Sequence, residues 1–315
     1  MALDLISVGR VSVDLYANEI NASFLDPQTF SKSVGGSPTN VAVAAARYGR
    51  SAAPLTGVGA DSLGDYVCAR LESWNVTTDY IEHVAGAQTP VVLAALDPPE
   101  DPQIIFYRGS DAPDTQLRRT PERDAAVREA RIFWMSQGAL AHGETAQSSF
   151  DWLAMRANAD GQYTILDLDY RPSMWADEGV ARVAARRAIA HSNVVVGNRA
   201  ECAMALGVED PESAADALLD HGVWLAIVKM GGGGVLLATK DERVRVSPLP
   251  ITVLCGLGAG DAFGGALVHG LLAQWSLTEI GEFCNAAGAY VTTKLTCADA
   301  MPTEAENRAF AREGL

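Results

Sequence analysis

The residues best suited to chemistry lie late in the chain, in Leu257-Gly258-Ala259-Gly260-Asp261-Ala262-Phe263, where a glycine-rich turn runs into an apolar stretch of small residues. Glycines let the backbone approach a ligand closely, and the first N–H groups of a helix, with its dipole, form an anion site. A carboxylate at Asp261 would repel a phosphate bound there, unless its task is to take the proton from a hydroxyl attacking that phosphate. That is the role of a kinase's general base. Taken alone, the segment equally fits a tight turn followed by an ordinary first-turn acid, because short glycine patterns recur widely.

Two earlier clusters belong with it. Gly35-Gly36-Ser37-Pro38-Thr39-Asn40 sets two glycines before a helix start, and Asn40 can donate to and accept from neighbouring hydroxyls of a polyol. A loop with a conventional cap is the plainer alternative. Gly9-Arg10-Val11-Ser12-Val13-Asp14 follows an apolar run, so Asp14 falls near the C-terminal end of a strand, where open α/β sheets bind ligands. A surface Asp is the alternative there.

Positioning such groups requires alternating strands and helices. Short apolar runs at Leu5 to Val8, Ile132 to Met135, Thr164 to Leu168, Asn193 to Val196, Leu225 to Lys229 and Val235 to Ala238 read as strands. Between them lie amphipathic stretches. The clearest starts at Ser37-Pro38, with Ser37 placed to cap, Pro38 at the first helical position and Gly49 as the stop; another runs from Gly258 to about Gln274. This is the pattern of a mostly parallel sheet with helices on both faces. Residues 88 to 108 break it, as two extended runs, Pro90 to Leu96 and Gln103 to Tyr107, joined by a proline-rich turn. With the stretch Val11 to Val34 they are expected to form a small accessory sheet, a β-lid built from about residues 10–34 and 86–112. No linker divides residues 1–315, so a single kinase-like unit is expected.

Composition narrows the partners. With 315 residues, 48% of them hydrophobic, the chain can bury a large core. A net charge of -15 argues against nucleic acid or an anionic membrane surface as partner and for a small molecule. The five scattered cysteines contain no C-x-x-C pair, which fits a reducing cytoplasm. The first residues carry no basic, long apolar leader and no stretch reaches the roughly 18 apolar residues of a membrane span, so cytoplasmic localisation is expected.

The order of these motifs resembles the ribokinase-like, or PfkB, carbohydrate kinases over nearly the whole chain. The resemblance rests on Asp14, Gly35-Gly36-x-x-x-Asn40, Asp167-x-Asp169-x-Arg171 with Trp175, Asn198-x-x-Glu201, Gly231-x-x-Gly234 and Gly258-Ala259-Gly260-Asp261. Ser12-Val13-Asp14-Leu15-Tyr16, Val34 to Pro38, Asp167 to Pro172 and Cys297 to Pro302 are most similar to the branch acting on 5-dehydro-2-deoxy-D-gluconate in inositol breakdown.

The resemblance implies ATP and Mg2+ as cofactors and transfer of the γ-phosphoryl to a primary hydroxyl of a keto-deoxy sugar acid. Asp261 would be the base, with the N–H groups of Gly258, Ala259 and Gly260 around the phosphoryl. Asp14, Gly35, Gly36 and Asn40 would hold acceptor hydroxyls. Asn198 and Glu201 would organise the magnesium, Glu201 through water, while Lys229, Gly231 and Gly234 lie near the nucleotide phosphates and Asn285 beside the adenine. Tyr107, Arg108 and Arg171 are the carboxylate ligands this implies, since an arginine fork pairs bidentately with a carboxylate. For each arginine a surface ion pair is the alternative, and for Arg108 also the transferring phosphate. The lid sheet suggests a homodimer.

Three departures stand out. Cys255 replaces the acid that many relatives use for a monovalent cation, which leaves that requirement open. Asp169 stands where relatives often have Asn, and Thr296 where Gly is expected; Gly231 to Gly234 equally fit a flexible hairpin. The competing activities are a 2-keto-3-deoxygluconate kinase or a fructose or ribose kinase. A nicotinamide-dependent dehydrogenase fits less well, because Gly9-x-x-x-x-Asp14 lacks the G-x-G-x-x-G spacing.

Overall fold

Strands buried on both faces read as continuous apolar runs, and Leu5–Val8 (β1), with all four residues buried, is one of these in the interior of a large sheet. A computed structural model describes residues 2–157 and 161–313. After β1, the strands follow in chain order as Ser12–Ala17 (β2), Phe30–Gly35 (β3), Ala52–Gly59 (β4), Ile81–Val84 (β5), Val91–Ala95 (β6) and Gln103–Tyr107 (β7). The second half contributes Ile132–Ser136 (β8), Tyr163–Asp167 (β9), Val194–Asn198 (β10), Leu225–Lys229 (β11), Val235–Ala238 (β12) and Arg243–Val246 (β13).

Nine of these form one sheet in the order β13-β12-β11-β10-β9-β8-β1-β4-β5. From β11 to β5 every pairing is parallel; β12 and β13 close one edge antiparallel. The α/β expectation is met, with helices covering two hydrophobic layers. One layer joins Val41 and Ala44 to Phe263, Leu267 and Phe283, and the other joins Trp152 and Leu153 to Ala185 and Leu218. Among the described residues no helix is long and apolar enough to cross a membrane.

The other four strands form the second, smaller sheet, β3-β2-β6-β7. Its strand β7 shows how one face is committed. Ile104 and Phe106 point toward the large sheet's side, where they line a cavity, while Ile105 and Tyr107 alternate outward and are exposed.

Two helices carry the glycine motifs. The helix Ser37–Arg47 starts one residue earlier than its sequence suggests, because Gly36, not Ser37, is the N-cap; Gly49, at φ 78°, ends it as expected. The second helix is Ala259–Leu272, with Gly258 as N-cap.

Candidate active site

A cavity of about 330 Å3 opens between the two sheets, at the C-terminal ends of β9, β10 and β11. Such an edge is the usual ligand position in open α/β sheets. At its centre Gly258 adopts φ 83°, a left-handed conformation that strains any other residue, and a Cβ there would lie 2.5 Å from Cys297 Sγ. The first N–H groups of the helix at Ala259 and Gly260 follow directly, with no intrahelical acceptor available to them. Lys229, at the end of β11, brings its ammonium over this turn, 3.2 Å from the point a Gly260 side chain would occupy. Backbone donors and a cation therefore converge on one small volume.

Asp261 lies in the first turn of that helix. Burial pushes its pKa up to about 6, against the stabilising bond from Asn40 Nδ2, which donates to Asp261 Oδ2 at 2.7 Å; the neighbouring Asp169 carboxylate adds to the rise. A base poised near neutral pH is what proton abstraction from an alcohol requires. Asn40 Oδ1 is buried with no partner and so remains available to accept from a hydroxyl.

Asp14 projects from β2 into the same cavity, accepting from Ser12 Oγ at 2.6 Å and Tyr16 OH at 3.2 Å. Burial raises its pKa in spite of these bonds and of nearby Arg10. Gly35 lies diagonally across on β3, opposite Ser12, where a Cβ would overlap the Asp14 carboxylate, so this position serves the site by having no side chain.

Beyond the strand ends lies a charged cluster. Asp169 accepts from Arg10 at 3.1 Å, Arg171 Nε at 3.0 Å and Ser136 Oγ at 3.0 Å; burial raises its pKa, but Arg171 and Arg10 outweigh that and hold it below the usual range. Asp167, 3.9 Å from Lys229 Nζ, is held well above the usual range by burial, which the Lys229 charge only partly offsets. Burial lowers the Lys229 pKa, but Asp167 and Glu201 overcome this, so the ammonium stays protonated.

Asn198 and Glu201 form a capping box at the helix Arg199–Leu206: Asn198 Oδ1 accepts from the Glu201 N–H at 2.9 Å and Glu201 Oε2 from the Asn198 N–H at 2.6 Å. Both line the cavity, as do Gly36, Arg171 and Gly231. Among the described residues no three His, Cys, Asp or Glu side chains converge as a metal cage. Magnesium held by one or two carboxylates, water and substrate phosphates needs none.

Several expected residues lie elsewhere. Tyr107 is 63% exposed on the outer face of β7. Arg108 pairs with Asp114 at 2.6 Å, its Nε also donating to the same carboxylate, and faces away from the cavity. Gly234 has a packing reason for being glycine, since a Cβ there would overlap the Val246 carbonyl. Asn285 donates to the Ser247 carbonyl at 2.9 Å and ties its helix to the loop after β13.

Residues 2–304 match the family described as pfkB family carbohydrate kinase. The chain belongs to this pfkB family. It is 32% identical over 317 residues to the 5-dehydro-2-deoxygluconokinase of Bacillus thuringiensis (strain Al Hakam), covering 98% of this chain and 94% of the relative. The Bacillus anthracis protein of the same name is also 32% identical, over 315 residues, with the same coverage. A fructokinase with bound ATP from Xylella fastidiosa superposes with a TM-score of 0.85 at 25% identity over 98% of each chain. The apo form of a putative ribokinase II from E. coli does so with 0.90 at 21% identity, covering 99% of this chain and 100% of the other, which bears on fold alone. As a pfkB kinase the chain is a sugar kinase, a phosphotransferase with an alcohol group as acceptor.

Sequence reasoning left several residues of this cavity unassigned, among them Asp167, Tyr16 and Arg10. Asp167 was visible only as part of the Asp167-x-Asp169-x-Arg171 string, and Tyr16 only as part of a strand pattern. Arg10 carried a signal of its own: it directly follows an apolar strand run and a glycine, near the strand end where open α/β sheets bind ligands.

Proposed function

We propose that this pfkB kinase transfers the γ-phosphoryl of MgATP to a primary hydroxyl of a keto-deoxy sugar acid, most specifically 5-dehydro-2-deoxy-D-gluconate. The observation that carries the reaction is the meeting of Asp261, the Gly258 to Gly260 turn and the Lys229 ammonium at one end of the cavity. Support for the acceptor is the name shared by relatives 32% identical over 98% of the chain, together with Arg171 on the cavity wall.

In this reading Asp14 and Asn40 orient the acceptor's hydroxyls and Asp261 takes the proton from the attacking one. Its oxygen then bonds to the γ-phosphorus as the bond to the leaving ADP oxygen breaks. Donors from the helix start and Lys229 stabilise the charge on the passing phosphoryl, which needs positioning and neutralisation more than covalent help. Glu201 and Asn198 fit a magnesium bound through water and phosphate oxygens. Magnesium, when present, neutralises charge on the β- and γ-phosphates. The small sheet acts as a lid over the acceptor, excluding water that would otherwise take the phosphoryl.

A neutral-sugar kinase is the second reading, favoured by Arg108, whose guanidinium Asp114 already occupies. ADP release measured with 5-dehydro-2-deoxygluconate, 2-keto-3-deoxygluconate, gluconate, fructose and ribose separates the two. The highest kcat/KM is expected for the first; a neutral sugar in front rejects the acid reading and keeps the kinase.

Exposed Phe30, Ile105 and Tyr107 on the small sheet support a homodimer through that face, which light scattering tests by mass. The five cysteines, all unpaired and four of them buried, support a cytoplasmic setting.

A further inference from the structure

Arg10 leaves β1 at the point where the chain passes from the large sheet to the small one. Its carbonyl accepts from Thr39 Oγ1 at 3.0 Å, and its side chain, 9% exposed, forms part of the cavity wall. One terminal nitrogen donates to Asp169 and the guanidinium covers the Phe106 ring at 5.5 Å. The Nε is buried and has no partner. A guanidinium serving only as a strut between two sheets would be expected to satisfy its buried donors, since an unpaired one costs the whole of its lost hydration.

The ion pairing points the same way. Asp169 is shared between Arg10 and Arg171, so one carboxylate serves two guanidiniums and neither has it to itself. The other carboxylates near Arg10 have their own bonds, Asp14 from Ser12 and Tyr16 and Asp261 from Asn40. A guanidinium with a free donor and only a shared ion-pair partner, on the wall of a polyol-sized cavity, matches an anionic group on the acceptor.

We propose that Arg10 is the specificity-determining residue that binds the acceptor's carboxylate, donating from its free Nε while Asp169 fixes the plane of the fork. The assignment rests on the acid reading of the acceptor above. It places the carboxylate at the junction of the two sheets, against Phe106, rather than at Arg108 on the far side of β7.

The test compares kcat/KM for 5-dehydro-2-deoxygluconate and for its uncharged carboxamide in the wild-type enzyme, R10M and R10K, with MgADP affinity and Tm recorded for each. Methionine keeps the stem that packs on Phe106 and removes the charge. The wild-type enzyme is expected to prefer the acid, and R10M to lose roughly tenfold to a hundredfold of that preference, through KM. R10K, with a charge but no fork, is expected to fall between them, and it carries the comparison alone if R10M does not fold. An acid preference unchanged in the folded variants overturns the Arg10 assignment and leaves the acid reading standing. A wild-type enzyme indifferent to the charge overturns the acid reading itself, and the assignment with it.

Discussion

Asn40 Nδ2 donates to Asp261 Oδ2 at 2.7 Å, joining the first turns of two helices whose residues lie 221 positions apart. The bond fixes the carboxylate's rotation beside the Gly258 turn, so the proposed base and the proposed hydroxyl ligand are set by one contact. D261N keeps the side chain's size and removes its basicity. Turnover is expected to fall by about a hundredfold to ten-thousandfold, the usual contribution of a general base, with MgADP affinity retained in calorimetry. Turnover close to that of the wild type would remove Asp261 from the mechanism.

Because burial lifts Asp261 to about pH 6, kcat/KM is expected to rise as pH climbs through that value and then level off. N40A withdraws a bond that lowers this pKa, so its acidic limb should move to higher pH. A stability effect accompanies the same titration. The folded state binds the Asp261 proton more tightly than the unfolded chain does, so its contribution is fully present below the ordinary carboxylate range and is lost as pH rises through about 6. D261N should therefore raise Tm at pH 8 and not at pH 4, as read by thermal melts across that range.

Gly35 makes a separate prediction about the acceptor end. Its φ is not in the left-handed region, so alanine is acceptable to the backbone, but the new methyl would overlap the Asp14 carboxylate. Asp14 must rotate away from Ser12 and Tyr16. Acceptor kcat/KM in G35A is expected to fall about a hundredfold, the scale of a 1 Å misplacement, while MgADP affinity stays at the wild-type value. A parallel loss of nucleotide binding would show that the whole cleft, not Asp14, had moved.

The parts legible in the sequence are those where one residue type answers one backbone or charge requirement. The Gly258 turn before Asp261, the Gly35-Gly36 pair and the apolar runs of β1, β8 and β11 are of this kind. Strand β4 escaped notice because Ala52–Gly59 contains Pro54, two glycines and small residues, a poor strand by propensity that is nonetheless buried at every position. Arg108 lies off the cavity wall for a different reason. It follows Tyr107 at the end of a strand whose alternation turns Phe106 inward and Tyr107 outward, and its partner Asp114 lies only six residues ahead. A buried acid in the next turn holds the fork, and nothing in a motif announces that.

The Arg108 pair gives the last prediction. The side chains of Arg108 and Asp114 are 8% and 1% exposed, so the pair is nearly out of water. Removing one partner from such a pair leaves an uncompensated buried charge, at a cost of roughly 3–5 kcal/mol. R108A is expected to lose about that much stability in urea unfolding, and R108M/D114L, with no charge left to bury, to recover most of it. Acceptor KM should stay at the wild-type value in the double variant. A large rise in KM for the acid, with stability intact, would instead mean that Arg108 leaves Asp114 and enters the cavity when the acceptor binds.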